Sequence, residues 1–190
     1  NIEIGKSETQ TQDTPQKEKF ELLNYLGYEF KIFNTYLPSK DFRVKRKVEI
    51  EISTNKIKKI KSRLFSSILS YCSSEKTPGD FTLLEKRLKT LTGNYEINAS
   101  GSNVIIKTGI YFNYHHRTQK NNCRLAELDR TFQRALFSKT HPLFKKISSA
   151  LMLNEKRKLS GFSFLNGYNN IIYYSFSYKE LTKIRMHWNK

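Results

Sequence analysis

The change of period at Ser53 constrains this chain more than any other feature of its sequence. Residues 44–53 alternate, with Val48, Ile50 and Ile52 on one face, the period of a half-buried strand. Beyond Ser53 the apolar residues recur as Ile57, Ile60, Leu64 and Ile68, the period of a helix with one inward stripe. Ser53 or Asn55 supplies the N-cap, because either side chain can accept from a free backbone N–H. The other helix positions hold Lys56, Lys58, Lys59, Lys61 and Arg63. Ten basic residues fall between Lys40 and Arg63, against Asp41, Glu49 and Glu51. A charge run is usually a solvated face, but such a face normally carries acidic partners one turn away. This helix has none, so its cations repel one another. A phosphate strand relieves that repulsion and releases counterions, which favours a nucleic-acid backbone as the partner.

The whole chain carries the same bias. Its 34 basic and 17 acidic residues leave a net charge of +17 in 190 residues. Such an excess points to a polyanion or an anionic membrane. No apolar run approaches the length of a spanning helix, and no signal peptide is visible, so nucleic acid is the stronger expectation and membrane the weaker. Only 37% of residues are hydrophobic, yet 13 Phe, 11 Tyr and one Trp supply large side chains for a core. The length allows one domain or two small ones. Cys72 and Cys123 have no Cys-x-x-Cys context and read as free thiols in a reducing cytoplasm. The opening NIEIGKSET, without a methionine, reads as the tail of an element that begins elsewhere.

The remaining pattern is α+β. Residues 7–18 read as a polar loop, and residues 20–33 as a strand pair bent at Gly27. After a break at Thr77-Pro78-Gly79-Asp80, residues 81–91 read as a helix. Phe81, Leu84, Leu88 and Leu91 face inward on it, with Lys86, Arg87 and Lys89 outward. Those three cations either track a duplex or serve solubility. Residues 95–107 suit a short hairpin turning at Asn98–Asn103, with Val104, Ile105 and Ile106 in its second strand. In GIYFNYHH, alternation puts Tyr111, Asn113 and His115 on one face, and Phe112 and Tyr114 on the other. Tyr111 and Tyr114 stack on unpaired bases or belong to the core. His115 and His116 read as polar contacts, with no metal partner at ligand spacing. Helices are predicted at about 124–137 and 141–153, and a last one, capped by Ser177 and Glu180, runs to Trp188. Lys156, Arg157 and Lys158 read as a loop surface.

Several of these segments together resemble bacterial reverse transcriptases of the group II intron, retron and defence-associated kinds. Residues 22–33, with Leu26, Gly27 and Tyr28, resemble the primer-grip hairpin. ISTNKIKKIKSRL at 52–64 resembles the first thumb helix, and NIEIGKSET resembles the end of the preceding palm motif, with Lys6 as its lysine. RLKTLTGNY at 87–95, GIYFNYHH at 109–116 and LAELDR at 125–130 are similar to the C-terminal helical part. The resemblance implies three parts: a palm edge with the hairpin over 1–53, a basic thumb-like region over 54–120, and a C-terminal helical region over 121–190. It implies a primer-grip role for Leu26, Gly27 and Tyr28, and a template RNA or noncoding RNA with a DNA primer or product as partners. It also implies a role in antiviral defence. The helices past residue 120 are expected to bind the noncoding RNA or a further subunit. The paired aspartates of a palm do not occur here; Asp13, Asp41, Asp80 and Asp129 stand apart. Two-metal nucleotidyl transfer needs carboxylates that bridge two ions. Magnesium is therefore expected in a complete enzyme and not on this chain, which alone should be catalytically silent. A stand-alone nucleic-acid-binding module and an RNA-binding maturase domain are the alternatives.

Overall fold

The computed structural model describes residues 20–36, 44–98, 104–118 and 123–188. Lys6, the loop expected at 7–18 and most of the hairpin turn expected at 98–103 lie outside the described residues. The fold is α+β, with two antiparallel sheets and seven helices among the described residues. The chain divides into two compact units. One holds the described residues up to Ile57 together with 116–118 and Cys123. The other holds those of 58–115 and from Arg124 onward.

The first unit is a meander of β1 (Phe20–Tyr25), β2 (Tyr28–Tyr36) and β3 (Val44–Ile52). Pairing of Phe30 with Leu23 and Ile50, and of Tyr28 with Tyr25 and Ile52, gathers the apolar residues on one face. The period of two had predicted Val48, Ile50 and Ile52 together, and the register delivers it. The other face sets Glu29 beside Glu51, Lys31 beside Glu49 and Phe33 beside Lys47. Lys47 bonds Glu49 at 2.8 Å along the same strand. Thr118 is stitched to β3 by its N–H to Ile50 O at 2.9 Å and by Ile50 N–H to its hydroxyl at 2.8 Å.

Helix α1 (Thr54–Cys72) follows β3 after one residue. Ser53 is the cap: its hydroxyl accepts from Lys56 N–H at 3.4 Å, and Asn55 is not involved. In the second unit Ile60, Leu64, Ile68 and Tyr71 of α1 are buried. Helix α2 (Pro78–Thr92) starts three residues before the expected position, with Pro78 at its first turn. Proline fits there because its missing N–H is one that the helix leaves unpaired. The Asp80 carboxylate accepts from Thr77 N–H at 2.9 Å and closes that end. Leu84, Leu88 and Leu91 are buried as expected; Phe81 is half-buried, edge-on to Tyr71 at 5.9 Å.

The hairpin of β4 (Asn94–Asn98) and β5 (Ile105–Gly109) forms where it was expected, with Ile105 and Ile106 in its second strand and Val104 just outside it. Helix α3 (Arg124–Phe137) buries Leu125, Leu128, Phe132, Ala135 and Leu136. The helix expected at 141–153 is shorter, and a second helix that was not foreseen follows it where a loop surface was expected. Helix α4 (Phe144–Ala150) ends at Leu151, whose backbone is extended, and α5 (Leu153–Ser160) begins afresh with Met152 N–H bonded to Glu155 at 2.7 Å. Helix α6 (Phe164–Asn169) was not foreseen. Asp129 of α3 makes it, accepting from Ser163 Oγ at 2.7 Å, Phe164 N at 2.7 Å and Leu165 N at 3.1 Å. Helix α7 (Tyr178–Trp188) carries the predicted cap, with Ser177 N–H donating to Glu180 at 2.8 Å and Glu180 N–H to the Ser177 hydroxyl at 3.3 Å.

Asn94 ties these parts together. It is fully buried, its amide donates to Gly167 O and Ile172 O at 3.2 Å each, and its side-chain oxygen accepts from Tyr111 N–H at 2.9 Å. Gly167 lets α6 reach that point, since a Cβ there would stand 1.7 Å from Thr92 O. Asn94→Ala would leave Tyr111 N–H without its partner, while Gly167 O and Ile172 O would each lose one donor and keep the backbone N–H of Ile172 and of residue 94. At about 1–3 kcal/mol for the one group left unsatisfied, with two further hydrogen bonds lost to carbonyls that keep another donor, we expect a loss of about 2 kcal/mol. Urea unfolding of the purified chain measures it, and a loss under about 1 kcal/mol would show that the site rehydrates freely.

Candidate nucleic-acid interface

The β1–β2 turn is built by two residues. Leu26 and Gly27 have φ of 48° and 87°, two successive left-handed residues as in a type I′ hairpin turn. Gly27 accepts this readily, and its carbonyl receives Ser53 N–H at 2.8 Å. A Cβ on Gly27 would stand 2.7 Å from Cε of Lys56, so the aliphatic stem of the first helix lysine lies over the turn. The reason for glycine is thus the turn and Lys56, and no nucleic acid is needed to explain it.

The tyrosine expected to grip a strand is packed within the sheet. Tyr28, foreseen as a gripping side chain, is 9% exposed, with its ring 6.4 Å from Phe30 and 6.0 Å from His116. It belongs to the packed face of the sheet. Tyr25 and Leu26 are the exposed residues of the tip, at 60% and 79%. Sequence reasoning passed over Tyr25. The signal was its place directly before a two-residue turn.

The basic helix has two flanks. At 3.6 residues per turn, Lys58 and Lys61 follow the Phe65 side of the buried stripe, while Lys56, Lys59 and Arg63 follow the opposite side. Lys56, Lys58, Lys59 and Lys61 are exposed and form no ion pair among the described residues. Arg63 is different. It is half-buried, its guanidinium lies 5.3 Å from the Trp188 ring, and its Nε has no hydrogen-bond partner. Trp188 is itself held to α1 by its indole N–H on Ser67 Oγ at 3.0 Å.

The cations of α2 are not the outward row that the sequence suggested. Arg87 is 8% exposed, and burial pulls its guanidinium below the usual arginine range, with Asp80 acting against that. Lys86 bonds Glu180 at 2.5 Å, and Lys89 lies 5.5 Å from the Tyr174 ring. The Glu180 carboxyl is drawn down to about 2 by Lys86 and by the Ser177 cap. The physical reason is enclosure: α2 packs against α6, α7, β4 and β5, so little of its surface remains for solvent. The third cluster is also committed. Lys156 is buried, donating to Ser148 Oγ at 2.7 Å and lying 5.3 Å from the Phe144 ring. Lys158 pairs with Glu85 at 2.6 Å. Neither is the loop cation expected.

Residues 110–116 are a run of turns, so the alternation expected of Tyr111 and Tyr114 does not hold. Asn113 N–H bonds Gly109 O and Tyr114 N–H bonds Tyr111 O, each at 3.0 Å, which winds the segment like a helix. Both tyrosines are half-buried. The Tyr111 ring meets Phe112 at 5.3 Å and Tyr168 at 5.5 Å, a packing role with one edge left open.

Sequence reasoning weighed isolated aspartates and overlooked Glu29 and Glu51. The register sets them side by side, both buried. Glu29 accepts from the Thr54 hydroxyl at 3.3 Å and Glu51 from Ile52 N–H at 2.8 Å. Two carboxylates fall short of a metal centre, and no group of three or more His, Cys, Asp or Glu suited to a metal occurs among the described residues. No helix of the described residues is long and apolar enough to cross a membrane. Comparison with protein families, curated proteins and solved structures gives no match.

Leucine at a left-handed position costs about 1 kcal/mol or more relative to the asparagine that type I′ turns favour. Leu26→Asn should therefore stabilise the chain by about 1 kcal/mol in urea unfolding. Destabilisation would contradict the turn geometry.

Proposed function

We propose that this chain grips a nucleic acid by its phosphate backbone along α1, as the palm edge, thumb and appended helices of an RNA-directed DNA polymerase. One observation carries the first half: four exposed lysines on a helix with no carboxylate, none committed to an ion pair among the described residues. Contrast supports it, because Lys86, Lys156 and Lys158 are all engaged within the protein. Charge left unpaired on a helix is stabilised by an external polyanion.

The polymerase half rests on the sequence resemblance: hairpin, strand and basic helix in that order. On this reading the partners are a template or noncoding RNA and a DNA primer or product, in a cytoplasmic defence role. Magnesium would be held by paired aspartates in another part of the complete enzyme. At the hairpin tip the exposed Tyr25 and Leu26 would take the gripping role for which Tyr28 is too buried. A frame upstream of Asn1 that encodes paired aspartates in a tight turn would support this half. An unrelated domain there would remove it.

The first half is tested on the purified chain. Lys58→Ala, Lys59→Ala and Lys61→Ala combined should weaken binding to unrelated sequences about equally. The slope of log affinity against log salt should fall by about 2 to 3, near one unit per lost phosphate contact. Fluorescence anisotropy with two labelled RNA–DNA hybrids of different sequence measures both. An unchanged slope, or a loss confined to one sequence, would overturn the reading.

A further inference from the structure

Two of the acid-free stretches of this chain carry five cations each. Thr54–Ser74 carries Lys56, Lys58, Lys59, Lys61 and Arg63, and Arg130–Asn154 carries Arg130, Arg134, Lys139, Lys145 and Lys146. They are far apart in sequence, but the second unit brings them side by side. His141, between α3 and α4, stacks on Phe65 of α1 with ring centroids 5.9 Å apart and planes at 26°. Phe65 is one helical turn beyond Lys61 on the same flank of α1. The loop is fixed to α3, since Ser138 N–H bonds Arg134 O at 2.9 Å and His141 N–H bonds Ser138 O at 3.0 Å. Arg134, Lys139, Lys145 and Lys146 are exposed, and none is in an ion pair among the described residues.

We propose that this seam, with Lys58 and Lys61 on α1 and Arg134 and Lys146 on α3 and α4, is a second phosphate-binding surface that continues the α1 contact onto the C-terminal helices. It rests on the reading of α1 as a backbone grip and adds the elements that extend it. Charge argues for the occupant. Like cations gathered from three helices repel, and neither acid-free run brings a neutralising group. Glu51 and Glu75 flank the first run, and Asp129 and Glu155 the second; Asp129 is occupied by the start of α6, and Glu155 by Met152 N–H at 2.7 Å and the Tyr71 hydroxyl at 3.3 Å. The electrostatics of neighbouring groups agree with this convergence. His141 is held below the usual histidine range by burial, then by Arg134 and Lys61. The Cys72 thiol, pushed up by burial, is drawn back by Lys146 and Lys76.

The test uses the full 190-residue chain and a labelled RNA–DNA hybrid. Arg134→Ala with Lys146→Ala should lower the salt slope by about 2, with the same melting behaviour as the parent. Arg134→Lys with Lys146→Arg keeps both charges and should restore the parent slope, because a backbone contact of this kind reads charge and not shape. If the alanine pair binds like a parent whose slope falls in the α1 triple variant, the seam is refuted and the α1 grip stands. If the parent itself shows no salt-dependent binding, both readings fall.

Discussion

Helix α1 is the constraint on which the rest depends. It must be a helix while holding five cations and no acid. Three like-charge pairs stand one turn apart: Lys56 with Lys59, Lys58 with Lys61, and Lys59 with Arg63. At about 0.2–0.5 kcal/mol each, these cost about 1 kcal/mol. Burial of Leu64 and Ile68 with almost all of Ile60 and Tyr71 contributes several times that, at about 1.5–3 kcal/mol for each large apolar side chain. The inner stripe thus fixes the helix and holds the cations outward against their repulsion. Salt or a bound polyanion lowers that repulsion further, so folding and binding favour the same geometry.

The cations elsewhere divide by the surroundings of their helices. Where a helix is enclosed, as α2 is, a cation must find an acid, a ring or a cost. Lys86 finds Glu180, Lys89 finds Tyr174, and Arg87 stays buried with Nε unpaired. Where a helix lies at the surface, as α1 and the end of α3 do, the cation remains available. Net charge alone could not make this distinction.

Much of the fold was legible in the sequence because its signals are local. The alternation of β3, the stripe of α1, the cap at Ser177 and the turn at Gly27 each depend on residues within one or two turns. What was not legible depends on distant partners. Helix α6 requires Asp129 of α3 at its start, and the break between α4 and α5 requires Leu151 to be extended. The burial of Arg87 depends on four other elements packing on α2. Tyr25 and Tyr28 face each other across the hairpin and differ because β1 is an edge strand while β2 is central, with His116 beside Tyr28.

The central claim is that α1 presents uncommitted lysines to a phosphate backbone. Lysine acylation followed by mass spectrometry, with and without a saturating RNA–DNA hybrid, tests it most directly. Lys58, Lys59 and Lys61 should react readily in the free chain and be protected in the complex. Lys47, paired with Glu49 on the three-stranded sheet, should change little, and buried Lys156 should react slowly in both. Equal reactivity of the three α1 lysines in the free and saturated chain would contradict the account.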